Sequence, residues 1–133
     1  MEFLVEDSNA KRRRFLTAIM PSMIDQLGLT NSRKVVLVRV ANECEGMGMT
    51  VPLDALDSYV VIVKPAKLST VGVTLAHEMV HVRQLAKGIL KLVKGKTHWR
   101  GRWVSAKVKY LNQPWELDAF AKQEIVFRRS VSE

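Results

Sequence analysis

The chain has 133 residues, 47% hydrophobic and 26% charged, the balance of an ordinary soluble globular domain long enough to bury a core. Its longest apolar runs, VVLV at 35–38 and YVVIV at 59–63, are strand-sized, which excludes a membrane-spanning helix. The formal net charge of +8 is lopsided: residues 1–60 hold 7 Lys/Arg and 8 Asp/Glu, whereas residues 61–133 hold 14 and 5.

The opening residues, MEFLVEDSNAKRRR, place acids before bases with no apolar stretch after a basic start, so they do not read as a secretory signal. Ser8 or Asn9 can cap a first helix from about Ala10 to Leu27. Its stripe of Phe15, Leu16, Ile19, Met20, Met23, Ile24 and Leu27 has helical spacing. Pro21 is expected to kink or split that helix, and Gly28 to end it. The run Lys11–Arg14 opposes the helix dipole and reads as a solvated face. Val35–Ala41 reads as a strand, residues 43–49 as a flexible turn, and Tyr59–Lys64 as a second strand stopped by Pro65. The two glycines of the turn form no phosphate loop. Cys44 is the only cysteine, which fits a reducing cytoplasm.

Ser69 or Thr70 caps a second helix, about Thr70–Lys87, closed by Gly88. Ile89–Val93 and Trp99–Val104 read as a hairpin around Lys94-Gly95-Lys96. Pro114 opens a last helix that reaches about Arg129. No repeat or low-complexity segment interrupts the order, so residues 1–133 are expected to form one α+β domain. A small sheet should pack on the second helix, with an N-terminal and a C-terminal helix around it.

The second helix carries His77-Glu78-Met79-Val80-His81. Four residues separate the histidines, so they stand one above the other on one helix face and can ligate one zinc ion. Glu78 is rotated by about 100° and can reach a water on that metal as general base. With so few histidines and glutamates, chance produces HExxH only about 0.004 times in a chain of this length. A structural stripe would rarely set two histidines and a carboxylate among Val73, Leu75, Ala76, Val80 and Val82. A third ligand is required, and two candidates follow: His98 on the hairpin, and Glu116 in the first turn of the last helix. Ala119, one turn on, would let the helices approach closely. Asp118 points away from Glu116 and is a candidate to orient a histidine. If Glu116 is the ligand, His98 or Tyr110 is left to donate a hydrogen bond to a tetrahedral oxyanion.

These segments also carry a resemblance. HEMVHVRQLAKG, the basic Trp-containing stretch after it, and YLNQPWELDAFAKQ resemble small HExxH proteins of phage and bacterial genomes, predicted zinc metallopeptidases of minimal gluzincin type within the zincin superfamily. The likeness covers about residues 59–127. It implies a zincin-like fold, zinc on His77, His81 and Glu116, and a protein or peptide substrate. It also implies cytoplasmic work (in the host, if phage-encoded) and a substrate cleft edged by Tyr59–Lys64, to which a peptide adds as a strand. SprT-like proteases are also similar. They place a third histidine near the spacing of His98 and are basic, but the segment here reads ThrHisTrpArgGly rather than their usual His-Gly pair.

Between Glu78 and Glu116 the chain has no acid and nine bases. This 83–109 segment is either a solvated face or a surface for nucleic acid, which makes a nucleic-acid-associated zinc protein the alternative to a peptidase.

Overall fold

The computed structural model describes residues 1–53 and 57–132. The elements run β1 (Glu2–Glu6), α1 (Ala10–Gln26), β2 (Val35–Val40), β3 (Gly48–Leu53), β4 (Ser58–Val63) and α2 (Leu68–Ala86). They continue with β5 (Leu90–Val93), β6 (Lys96–Trp99), β7 (Arg102–Val104), a 3-10 turn (Tyr110–Asn112) and α3 (Pro114–Val131). The class is α+β, with one mixed four-stranded sheet and one antiparallel three-stranded sheet.

The large sheet has the order β1-β2-β4-β3; β1, β2 and β4 are parallel and β3 is antiparallel to β4. Alternation along the strands buries Val36 and Val38 of β2 and Tyr59, Val61 and Val63 of β4 on one face. Helices α1 and α2 lie against the sheet, and α3 packs on both helices. One apolar core therefore extends from Val5 to Val126. No helix among the described residues is long and apolar enough to cross a membrane.

Helix α1 begins where Asn9 Oδ1 accepts from the Arg12 amide at 2.9 Å. It runs unbroken through Pro21, which sits on the exposed side one turn after exposed Thr17, so water can serve the carbonyl freed there. The basic run has a partner that sequence reading did not supply. Arg12 grips the buried Asp7 carboxylate with two nitrogens, at 2.6 and 2.8 Å, and Arg13 donates to the Asp7 carbonyl. That knot ties the end of β1 to the start of α1.

One strand is added to those expected and two expectations about strands are corrected. Glu2–Glu6 is a strand, its hydrophobic signal too short to stand out alone. The supposed turn at 43–49 ends in β3, so Tyr59–Lys64 is not the edge: β4 lies between β2 and β3, and β3 forms the border. Gly48 makes that approach feasible, since a Cβ there would stand 2.9 Å from Thr74 Cγ2 and 3.3 Å from Glu78 Cγ. The hairpin is a three-stranded meander, because Arg100-Gly101 forms a second tight turn beside Lys94-Gly95. All four turn residues have φ between 51° and 79°, the left-handed pair that two-residue hairpins need.

The crossing of α2 and α3 depends on a missing side chain. A Cβ on Gly72 would lie 2.1 Å from Phe127 Cε1, so only glycine admits that ring. Ala119 is fully buried, in keeping with its small size at the interface.

Candidate metal centre

His77 and His81 project from the middle of α2, and Glu116 from the first turn of α3; all three are buried. Among the described residues they form the one group of three or more His, Cys, Asp or Glu able to share a cation, with one donor atom from each within 4.8 Å of the others. Glu116 Oε1 lies 2.9 Å from His77 Nε2 and 3.2 Å from His81 Nε2, and its Oε2 lies 3.1 Å from His81 Nε2. Ligand atoms around a tetrahedral zinc are separated by about 3.3 Å, so this spacing fits the ion after small adjustment.

The protonation of the rings strengthens the fit. Gln84 Nε2 donates to the Trp115 carbonyl and to Asp118 Oδ2, both at 2.9 Å, which fixes how its amide is turned. Gln84 Oε1 therefore faces His81 Nδ1 at 2.8 Å, and Nδ1 must carry the hydrogen. His77 Nδ1 meets Gln123 Oε1 at 2.7 Å, and an amide oxygen in that place accepts, so Nδ1 donates to it. In the neutral tautomers so selected, both Nε2 lone pairs point at the Glu116 carboxylate. Lone pair against lone pair is repulsive unless a proton or a cation lies between, and two imidazoles with a carboxylate suit a divalent ion.

Without a cation, shared protons do that work. Burial pushes Glu116 upward, but hydrogen bonds from His77, His81 and Tyr110 outweigh it and hold the carboxyl down at about 2. Burial draws His81 down, yet its bonds to Glu116 and Gln84 leave it above the ordinary histidine value.

Glu78 is buried beside this group but outside it. Thr50 Oγ1, on β3, is 2.8 Å from Glu78 Oε1 and 3.2 Å from the Glu78 carbonyl. Burial raises the Glu78 pKa, only partly offset by the two imidazoles and by Thr50. The Tyr110 ring is 54% exposed, while its hydroxyl turns inward and donates to Glu116 Oε1 at 2.9 Å. Burial of that hydroxyl and the adjacent carboxylate push Tyr110 up to about 12, so it keeps its proton.

Two cavities meet at Gly48, Glu78 and Tyr110. One, of about 320 Å³, extends past His81 and Glu116 to Leu90, Leu92 and Trp115. The other, of about 490 Å³, extends past His77 to Met47, Val73 and Phe120. Together they form a cleft along β3 with Glu78 at its middle.

Of the residues singled out from sequence, His77, Glu78, His81, Glu116 and Tyr110 come together here. His98 does not join them: it lies on β6, paired across the strands with Lys91 and Trp103. Asp118 reaches His81 only through Gln84. Sequence reading missed Thr50, Gln84 and Gln123; a buried glutamine three residues after His81, on the same helix face, is the one signal that was available for them.

Comparison with protein-family models, with curated proteins and with solved structures finds no match to this chain.

Proposed function

We propose that this protein is a zinc-dependent peptidase, with His77, His81 and Glu116 as metal ligands and Glu78 as general base. The observation that carries the reading is the convergence of two Nε2 lone pairs and a carboxylate beside a separate buried carboxylate, in a cleft bordered by an open strand edge. A divalent cation held there would supply Lewis acidity, polarising a carbonyl and lowering the pKa of water in its open position towards about 7.

The chain's own groups do the rest. Glu78, its pKa raised by burial, accepts a proton from the attacking water and returns it to the departing amine. Thr50 holds Glu78 in place from β3. The Tyr110 hydroxyl keeps its proton and can turn from Glu116 to the oxyanion that forms at the scissile carbonyl. The edge of β3, which pairs with no further strand among the described residues, offers backbone groups to an extended peptide, a role expected of residues 59–64 and moved here to 48–53. A lone Cys44 suits work in a cytoplasm, the host's if the chain is phage-encoded.

The test is metal per chain in purified protein, beside Glu116→Ala and His98→Ala, with hydrolysis of a quenched peptide library before and after chelation. One zinc, lost with Glu116→Ala and kept with His98→Ala, together with chelator-sensitive cleavage, is the expected result. A parent that takes up no zinc on reconstitution overturns the proposal, and loss only with His98→Ala overturns the ligand set.

A further inference from the structure

We infer that one face of the three-stranded sheet β5-β6-β7 binds single-stranded nucleic acid, independently of the peptidase reading. Strand pairing defines the face. Lys91 pairs with His98, and His98 with Trp103, while Val93 pairs with Lys96, so these side chains share one side. Leu90 and Leu92 fall on the other side and line the cavity beside Glu116. The sheet thus turns its leucines to the cleft and its lysines away from it.

Two features of the outer face go beyond a merely solvated one. Lys91 and Lys96, with Lys94 in the turn between them, are exposed, and none forms an ion pair among the described residues. Beside these lysines Trp103 is 58% exposed, with the Lys96 ammonium 5.7 Å from its ring centroid. A large aromatic left in water has an apolar π-face to cover, and the cations around it select an anion. A ligand that supplies flat rings and negative charge at regular spacing satisfies both demands. Unpaired bases stack on an exposed tryptophan while their phosphates meet lysines; a duplex hides its base faces. The segment itself carries no acid between Glu78 and Glu116, and the carboxylate beside the face, Asp57, which lines a cavity with Lys91 and Val93, is paired with Lys34.

The experiment measures fluorescence polarisation of a labelled oligothymidylate of about 20 nucleotides, a length that spans such a site. Binding is expected at about 50 mM salt; with three lysine contacts, doubling the salt weakens it about fourfold. Trp103→Ala is expected to weaken binding at least about fivefold, with most of the affinity kept in Trp103→Phe. Lys91→Glu with Lys96→Glu should abolish it, while Lys11→Glu with Arg14→Glu, the same charge change on exposed α1 positions, should leave it within about twofold. Circular dichroism checks that each variant is folded. No binding at low salt overturns the inference, as do equal losses from the two charge reversals. So do duplex binding as tight as single-stranded and indifferent to Trp103, and displacement of the oligonucleotide by polyglutamate as readily as by its unlabelled copy.

Discussion

Helix α2 and the small sheet that follows it are separated by three residues, yet they are built on opposite terms. Eleven of the nineteen α2 residues are buried, among them two histidines, a glutamate and a glutamine. From Leu85 to Trp115 no residue is buried at all. The helix is constrained from every side, by β3 and β4, α1 and α3. The sheet is held by its own ladder, two left-handed turns and the contact of Leu90 and Leu92 with the cleft wall. The contrast shows how this chain distributes its polar groups. Groups that need a fixed tautomer and a fixed distance lie in the dense part, and cations that need only water and reach lie in the thin part.

The sharpest way to test that contrast is Glu78→Gln. It removes the proposed base but keeps the shape and the hydrogen bond from Thr50. Turnover of a cleaved peptide is expected to fall by about 10²–10⁴, with zinc content unchanged. The folded value of Glu78 lies above its unfolded one, so its ionisation at neutral pH opposes folding, and that opposition is relieved as pH falls through the folded value. The metal-free variant should therefore melt at a higher temperature than the metal-free parent at pH 7. An inactive variant that melts lower would remove the account of Glu78 as a desolvated carboxylate.

Gln84→Ala comes next. It frees the His81 ring and leaves Asp118 Oδ2 without its amide, and zinc affinity should drop about 10–100-fold in competition with a chelator. Gly72→Ala is expected to lower stability by about 1 kcal/mol, since displacing the Phe127 ring costs more than the helix propensity that alanine gains. Adding Phe127→Leu should recover part of that loss in urea unfolding, because the two positions are in contact.

Acid should distinguish the regions too. Asp7 and Glu116 are both depressed in the folded protein, so the stability they lend is present above their unfolded values and lost as pH falls through the folded ones. For Glu116 in metal-free protein that window reaches down to about 2. Asp7→Asn should flatten the upper part of the acid-unfolding curve followed by circular dichroism. The smallest effect belongs to the small sheet: Trp103→Thr should change global stability by no more than about 0.5 kcal/mol. Its amides should exchange with solvent well before those of α2, read by hydrogen exchange and mass spectrometry. Equal protection in the two regions would break the comparison outright.

How much of this was legible in the chain differs from residue to residue. Helical spacing alone placed His77 and His81 on one face and set Glu78 beside it, because a helix repeats within four residues and the motif lies inside that span. Pro114 marked the helix that carries Glu116, and Lys94-Gly95 marked one tight turn, though Arg100-Gly101 was read through as strand. The short β1 and the entry of β3 were missed because neither has the valine-rich run that marked β2 and β4: β1 has three apolar residues between two glutamates, and β3 contains Gly48 and Pro52.

The sequence by itself determined the local elements of the helices and the first two donors of the site, since both depend on periodicity and on side-chain chemistry a few bonds away. Only the tertiary structure decided that Glu116 lies beside those donors and His98 does not, and that β3 rather than β4 borders the cleft. It also decided that Thr50, Gln84 and Gln123 hold Glu78, His81 and His77 in place. The decisive contacts span 28 residues from Thr50 to Glu78, 39 from His77 to Glu116 and 46 from His77 to Gln123. Over such separations the partner is chosen by how helices and strands bury their common core, and no local pattern encodes that choice.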